Sequence, residues 1–297
     1  MLSVTLRASA SRPLARVTAA IRRAAAAEAQ GPTRRLRHRS CREETECTTI
    51  VGRDGAGTGP SLFLCTLSDM DRLVLFDIDC TLIDTHGIGG RAIFAALAET
   101  YGLRGKLNGY SFHGRTDPGI VIDLAIRWGA TAELAEERLW PCLERYLELL
   151  RDEAKAGTIE VLPGVCELVT ALDADPRVLV GLLTGNISAG ARIKLAPTGI
   201  DELFKIGAYG DDSRHRPDLP AIAVRRAADY SGVLFSGKQI VIIGDAPADI
   251  TCGAAVGVKA IAVATGIHSV AELVAHQPDH VFATLGDWRA VREAILA

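Results

Sequence analysis

Four runs of apolar residues start and stop abruptly along this chain, and each is separated from the next by polar residues and stretches with helical spacing. A short continuous apolar run with such limits indicates a strand that is buried on both faces. Strands that alternate with helices indicate a parallel sheet with helices on both sides. The predicted strands are residues 72–77, 178–183, 240–244 and 259–264. The pattern therefore predicts an α/β fold built on a doubly wound parallel sheet.

The stretch between the first two predicted strands has a different pattern. It is rich in Ala, Leu, Glu and Arg and contains no convincing buried strand. Apolar residues at helical spacing cover residues 88–103, 117–129 and 133–155. We expect an all-helical domain, residues 88–159, inserted into a core of residues 70–87 and 160–297, and we call it the helical insertion. Its hinges are expected at Asp84–Gly90 and Thr158–Gly164, which have Gly or Pro nearby.

The first predicted strand ends in two carboxylates, Asp77 and Asp79, in the sequence VLFDIDCTLIDT of residues 74–85. Residues two positions apart in a strand lie on the same face. Two such anions with no basic residue between them repel each other. They persist where a cation such as Mg²⁺ is bound, or where paired acid and nucleophile chemistry needs them. A polar turn after a strand would explain one of these carboxylates but not both.

Two further strands end in residues suited to bind ions. Thr184, Gly185 and Asn186 follow the second strand, and a hydroxyl with free N–H groups at a helix start forms an anion site. Asp245 follows the third strand, and Asp249 lies in the first turn of the next helix. Converging carboxylates suit the octahedral oxygen site of Mg²⁺, and the carboxyl ends of strands are where open α/β sheets bind ligands. An ordinary strand–turn–helix at Thr184 and an N-cap role for Asp249 stay open as alternatives.

These motifs, in this order between residues 72 and about 250, resemble those of the haloacid dehalogenase superfamily, whose members are mostly Mg²⁺-dependent phosphatases. The resemblance implies a Rossmann-like core with the helical insertion as a cap over the site. It implies that Asp77 is the phosphoryl-accepting nucleophile and that Asp79 is the general acid and base. The implied phosphate-binding residues are Thr184, Gly185, Asn186 and Arg216. The implied Mg²⁺ ligands are Asp77, the main-chain carbonyl of Asp79, Asp245 and Asp249.

Two positions depart from the pattern of that family. Cys80 stands where the family usually has Gly, at the start of a tight turn. Arg216-Pro217 stands where the family usually has Lys-Pro to neutralise the nucleophile and the phosphate. An arginine fork binds phosphate, but Arg is not equivalent to Lys. Arg214 is the competing candidate for this role, and Lys194 and Lys205 are less well placed.

A polar loop in the helical insertion, FHGRTDPG at residues 112–119, is a candidate for substrate contact. His113, Arg115 and Thr116 are predicted to face the part of the substrate that does not react. The alternative is a solvated turn between helices with Asp117 as the N-cap.

The function expected from the resemblance is Mg²⁺-dependent hydrolysis of a small phosphorylated metabolite through an aspartyl-phosphate. A dehalogenase uses the same nucleophile but has no need of an acid at Asp79 or of a metal, so it is disfavoured. A phosphomutase of the β-phosphoglucomutase type shares all four motifs, and a catalytically retired binding module also stays open, with Arg216 as its only hint. Phosphoglycolate, sugar phosphates and nucleotides all remain open as substrates.

Composition and charge limit the partners. The chain has 297 residues, of which 48% are hydrophobic, enough for a substantial core. Residues 70–297 carry 22 basic and 30 acidic residues, which argues against a nucleic-acid partner. No apolar stretch approaches the length of a membrane span. Seven Cys without a CxxC pair indicate a reducing, cytoplasmic setting and no disulfide framework or zinc site. We expect a monomer or a homodimer.

Residues 1–69 differ from the rest of the chain. Up to Arg42 there are ten Arg and one acidic residue, a composition that resembles organelle transit peptides. The chain has only two Met, Met1 and Met70, and Met70 directly precedes the first strand. We expect that translation begins at Met70 and that residues 1–69 are a start-site artefact, in preference to an organellar presequence. In either case we expect them to be disordered.

Overall fold

The sheet of this protein is parallel and six-stranded. The computed structural model describes residues 70–154 and 159–297. Its strands are β1 (Arg72–Phe76), β2 (Ile83–Asp84), β3 (Glu160–Val161), β4 (Val178–Leu183), β5 (Ile206–Ala208), β6 (Ile240–Gly244), β7 (Lys259–Val263) and β8 (His280–Phe282). The sheet has the order β5-β4-β1-β6-β7-β8, and all its neighbouring strands are parallel. β2 and β3 form a separate antiparallel ribbon.

Helices cover both faces of the sheet. The α-helices of the described residues are α1 (Ile88–Tyr101), α2 (Asp117–Arg127), α3 (Ala132–Glu137), α4 (Leu139–Ala154), α5 (Val165–Asp173), α6 (Ser188–Leu195), α7 (Leu219–Ser231), α8 (Pro247–Cys252), α9 (Val270–Val274) and α10 (Trp288–Leu296). Side chains alternate between the faces of a strand. Val74 and Phe76 of β1 therefore pack with α5, α6 and α10, whereas Leu73 and Leu75 pack with α7. The predicted doubly wound α/β fold is confirmed.

The four predicted strands match β1, β4, β6 and β7 to within one residue. Their apolar side chains are buried, because each strand has neighbours on both edges and helices on both faces. β5 and β8, which flank them, were not predicted. Each has only three residues, too few to show a periodicity.

The helical insertion has its own apolar core. α1 packs along α4, and their inner faces meet in a cluster that includes Leu97, Leu143 and Tyr146. The helix predicted over 133–155 is divided by Arg138 into α3 and α4. A left-handed Gly102, with φ 68°, ends α1.

The chain leaves the core through β2 and returns through β3, so the two connections pair with each other. Ile83 lies opposite Val161, and Asp84 lies opposite Glu160. The first expected hinge, Asp84–Gly90, begins at the end of β2. Part of the second, Thr158–Gly164, lies outside the described residues, as do the whole of residues 1–69 and the expectations stated for them. Within the described ranges, no helix is both long enough and apolar enough to cross a bilayer.

Candidate active site

Three carboxylates meet where β1 and β6 end. Asp77 follows β1, Asp245 follows β6, and Asp249 lies in the first turn of α8. Each offers one oxygen, and these three oxygens lie within 4.8 Å of one another. All three residues are buried. The structure thus brings together carboxylates that are up to 172 positions apart in the printed sequence, because β1 and β6 are neighbours in the sheet.

A buried guanidinium is placed among these carboxylates. Arg216, 6% exposed, begins the 3₁₀ turn that leads into α7. Its Nη2 donates to Asp249 Oδ1 and lies 3.4 Å from Asp77 Oδ1. Arg214, the competing candidate, is half exposed and pairs with Glu136 of α3. Arg216 is therefore the arginine that faces the predicted nucleophile.

The three carboxyl groups of this cluster have raised pKa values. Burial, opposed by Arg216 and reinforced by the charges of Asp249 and Asp79, raises the pKa of Asp77 to about 6. Burial also raises the pKa of Asp245 and of Asp249 above the usual aspartate range. A divalent cation would favour the ionised forms of all three groups.

The donor set of this cluster fits a small hard cation. Asp245 Oδ2 is buried and accepts no well-aligned hydrogen bond within the described residues, and hard oxygen donors of this kind suit Mg²⁺. A Cβ on Gly266 would fall 1.8 Å from this oxygen, so the absence of a side chain there keeps the space open. Asp249 is different, since Oδ1 accepts from Arg216 and Oδ2 accepts from the Ala246 amide at 3.0 Å. Asp245 is thus the member of this cluster with an oxygen that has no well-aligned donor among the described residues.

The second predicted carboxylate is held by a lysine from the core. Lys194 Nζ, on α6, donates to Asp79 Oδ1 at 2.9 Å and Oδ2 at 2.7 Å. It also donates to Asn186 Oδ1 at 2.6 Å, and the Asn186 amide donates to Asp79 Oδ2 at 2.7 Å. Burial opposes ionisation of Asp79, but Lys194 and these hydrogen bonds outweigh it and lower the pKa of Asp79. Lys194 therefore lies in the site, but it binds Asp79, whereas Arg216 is the cation beside Asp77.

The predicted anion site after β4 is partly engaged by the protein itself. Thr184 is fully buried, and its Oγ1 accepts from the Asn186 amide N–H at 3.3 Å and from Asn186 Nδ2 at 2.9 Å. The Ile187 N–H donates to Asp117 Oδ2 at 3.0 Å at the start of α6. Thr184, Gly185 and Asn186 all line the same cavity as Asp77. Asn186 therefore links the predicted phosphate-binding turn to Asp79.

Cys80 follows the site carboxylates in a left-handed conformation, with φ 60°. This conformation is uncommon for a residue with a side chain and is the one that Gly adopts readily. Burial and the negative charge of Asp245 raise the pKa of the Cys80 thiol to about 12. A thiol that stays protonated is a poor nucleophile, which argues against Cys80 as the attacking group.

The three loop residues predicted to face the substrate have different positions. His113 Nδ1 lies 3.4 Å from Asp245 Oδ2, a contact that raises the pKa of His113. Arg115 lines the cavity but pairs with Asp123 at 2.7 Å. Thr116 is buried, donates to the Arg214 carbonyl at 2.7 Å and caps α2 by accepting from the Gly119 N–H. The N-cap of α2 is therefore Thr116 and not Asp117.

This loop packs closely against the core. The Asp117 N–H donates to the Gly185 carbonyl at 2.7 Å. A Cβ on Gly185 would lie 1.9 Å from the Arg115 carbonyl oxygen, and a Cβ on Gly114 would lie 2.4 Å from Ala248 Cβ. The missing side chains at Gly185 and Gly114 thus permit this loop to pack closely against the core.

A cavity of about 480 Å³ lies between the helical insertion and the strand ends. Asp77, Asp79 and Arg216 of the core are among its lining residues. Phe94, Phe112 and other residues of the insertion also line it. The volume is in the range of small-molecule sites.

Comparison with known families and proteins agrees with this architecture. Residues 74–263 match the family model described as "Haloacid dehalogenase-like hydrolase". The chain is 31% identical over 228 residues to the phosphoglycolate phosphatase of Rhodospirillum rubrum. This alignment covers 74% of this chain and 91% of that protein. It is 25% identical over 235 residues to the "Probable phosphatase IndB" of Dickeya dadantii, over 76% of this chain and 96% of that protein.

Among solved structures, one described as a predicted phosphoglycolate phosphatase from Haemophilus somnus has the same fold. It superposes with a TM-score of 0.58 and 20% sequence identity, over 75% of this chain and 98% of that chain. At this identity the likeness concerns the fold alone.

Proposed function

This chain belongs to the haloacid dehalogenase-like hydrolases, and we propose that it is a Mg²⁺-dependent phosphatase acting on a small phosphate monoester through an aspartyl-phosphate. The observation that carries the proposal is the buried pair of Asp77 and Arg216, which lines the cavity together with a second carboxylate, Asp79. A nucleophile, a cation for the phosphate and an acid are the groups that this reaction needs. The phosphatase names of two relatives support the same reaction class.

In the proposed first step, a carboxylate oxygen of Asp77 attacks phosphorus and the bond from phosphorus to the ester oxygen breaks. Asp79 gives its proton to the departing oxygen, which leaves as an alcohol. Lys194 lowers the pKa of Asp79 in the free protein. The negative charge of an incoming phosphate opposes that effect and favours the protonated form that this step requires. Arg216 and Thr184 bind the non-bridging oxygens, where negative charge is concentrated in the transition state.

In the second step, water attacks the phosphorus of the aspartyl-phosphate. Asp79, now ionised, accepts a proton from that water, and the bond from phosphorus to the Asp77 oxygen breaks to release inorganic phosphate. The contact with Lys194 favours the ionised Asp79 that this step requires. The same two side chains therefore complete both halves of the cycle.

The residues that fit Mg²⁺ are Asp77 and Asp245, with the main-chain carbonyl of Asp79 as a third oxygen. When bound, the ion would screen the repulsion between the carboxylates and the phosphate. Asp249 was predicted as a further ligand. Since both of its oxygens are engaged within the protein, we propose that it mainly orients Arg216 toward Asp77.

We also propose that residues 88–159 act as a cap on a core of residues 70–87 and 160–297. His113 and Arg115 of its polar loop line the cavity beside the core residues. A closed cap excludes water from the first step and selects the leaving group.

Hydrolysis of p-nitrophenyl phosphate tests the proposed function. We expect turnover with Mg²⁺, none after chelation with EDTA, and loss of turnover in Asp77→Asn. Asp229→Asn, which removes an exposed aspartate of α7, is the matched control and should retain full activity. Turnover by Asp77→Asn comparable to the wild type would overturn the assignment of the nucleophile. Transfer of phosphate between two positions of a sugar, without release, would identify a mutase, and the absence of any turnover would identify a binding module.

A further inference from the structure

The cavity wall that the helical insertion supplies includes an apolar and aromatic group of side chains. This group consists of Phe94, Phe112, Ile93 and Ile120. Ile93 and Ile120 are almost fully buried, and Phe94 and Phe112 are partly buried. Ile267 of the core also lines the cavity and is 62% exposed. An alcohol bound here would contact mainly hydrocarbon surface.

The aromatic wall is held in place by other rings. Phe112 makes edge-on contacts with Phe94, at 5.7 Å between ring centroids, and with Tyr110, at 5.8 Å. Phe94 is stacked on Trp128 at 5.6 Å. A Cβ on Gly90 would lie 3.9 Å from Phe112 Cε2, so the ring of Phe112 rests over the first turn of α1. A wall fixed in this way can receive a flat ring without first being ordered.

The cations that line the cavity in the described part of the chain already have carboxylate partners. Arg91 pairs with Glu153 at 2.9 Å, and Arg115 pairs with Asp123 at 2.7 Å. The two cations nearer the strand ends, Lys194 and Arg216, are engaged by the site aspartates.

The cavity wall also contains two carboxylates besides those of the site aspartates. Asp84 and Asp117 line it, and Asp117 is buried. A carboxylate on the leaving alcohol would therefore break an existing ion pair or remain without a partner near like charge, and both are costly in a desolvated site.

We propose that the apolar part of this cavity wall binds the leaving group of the substrate, and that this leaving group is a neutral, apolar alcohol. A ring of the size of benzyl would lie between Phe94, Phe112 and Ile120. A carboxylated alcohol would not bind there. This inference rests on the proposed phosphatase function and specifies its substrate class. It sets the chain apart from the substrate in the name of its Rhodospirillum rubrum relative.

Three esters of primary alcohols separate leaving-group binding from chemistry. They are benzyl phosphate, ethyl phosphate and phosphoglycolate, assayed with saturating Mg²⁺ for kcat/KM by release of inorganic phosphate. Benzyl phosphate should exceed ethyl phosphate by about tenfold or more, since burying a phenyl ring is strongly favourable. Phosphoglycolate should be hydrolysed less efficiently than ethyl phosphate.

Two sets of variants test the wall and the charge. Phe112→Ala should lower the ratio of benzyl to ethyl phosphate by about tenfold, whereas Phe112→Leu should keep most of it. Ile267→Lys places an unpaired cation at the mouth and should raise kcat/KM for phosphoglycolate relative to benzyl phosphate. Val274→Lys is the matched control, because Val274 is also an exposed apolar residue, 53% exposed, but lies outside the cavity lining. It should leave all the ratios unchanged.

The outcomes distinguish the two proposals. Hydrolysis of the esters with phosphoglycolate preferred over benzyl phosphate would overturn the apolar leaving group and leave the phosphatase intact. Equal ratios in Phe112→Ala and wild type would also overturn it. Failure to hydrolyse any of the esters or p-nitrophenyl phosphate would overturn both.

Discussion

Replacing Lys194 with Met tests whether the buried ammonium group holds the second carboxylate in place. Met keeps most of the aliphatic length but removes the charge and its three hydrogen bonds, two to Asp79 and one to Asn186. Lys194 is 3% exposed, so water cannot replace it without a rearrangement.

The expected loss of stability follows from what each partner retains. Asn186 Oδ1 would lose its ammonium donor, and a buried acceptor without a partner costs roughly 1–3 kcal/mol. Asp79 keeps hydrogen bonds from Asn186 and Thr85, and its side chain is 36% exposed, so water recovers part of its loss. Removing a buried charge also relieves its desolvation cost. We therefore expect the free energy of unfolding to fall by about 2 kcal/mol.

Urea unfolding followed by circular dichroism measures this difference, provided that the slope of the transition is unchanged. Lys205→Met is the control, because Lys205 pairs with Asp173 at 3.3 Å with both side chains about one-third exposed. Such a pair contributes about 0.5 kcal/mol. The Asp79→Asn background should reduce the effect of Lys194→Met, which a double-mutant cycle would detect. Losses that are equal for Lys194→Met and Lys205→Met, with no coupling to Asp79, would refute this reasoning.

Four other predictions follow from the site. Mg²⁺ should raise the melting temperature, because it offsets the repulsion within the carboxylate cluster; an unchanged melting temperature at millimolar Mg²⁺ would contradict this. Burial raises the pKa of Asp117 to about 6, so the folded state holds this proton more tightly and the free energy of unfolding falls as pH rises from about 4 to about 6. Asp117→Asn should remove up to about 3 kcal/mol of that fall, as measured by urea unfolding at both ends of the range. Gly185→Ala should lower kcat/KM by about tenfold or more, since its Cβ would displace the loop of the helical insertion. Gly190→Ala is the control and should be neutral, because a Cβ on Gly190 meets only ordinary contacts at 3.5 Å or more. Cys80→Gly should stabilise the protein by about 1 kcal/mol in thermal or urea unfolding, because it relieves the left-handed conformation; a destabilised variant would show that the thiol packs favourably.

The sequence predicts the central strands well because each is a continuous apolar run that matches its buried position. The same runs locate Asp77 and Asp245, since both directly follow a strand and the strands are neighbours. The edge strand His280–Phe282 could not be predicted, because three partly exposed residues carry no pattern of their own.

The role of Lys194 at Asp79 was not predicted from the sequence. Lys194 lies on the buried face of α6, in register with Ile187, Ala191 and Leu195, where a charged side chain needs a partner. That position is a usable indication, since buried charges are nearly always paired. Its partner, however, depends on how α6 packs beside β1, and helical spacing alone does not contain that information.

The paired strands β2 and β3 have a consequence for how this protein can vary. Asp84 and Glu160 lie opposite each other, so their Cα atoms are only about 5 Å apart. A two-residue turn is enough to join antiparallel strands at that distance. The intervening helices can therefore be shortened, replaced or deleted between β2 and β3 while the order of the six-stranded sheet is preserved. Substrate choice can then diversify as an exchangeable module, and the strand ends that would carry out the chemistry are inherited unchanged.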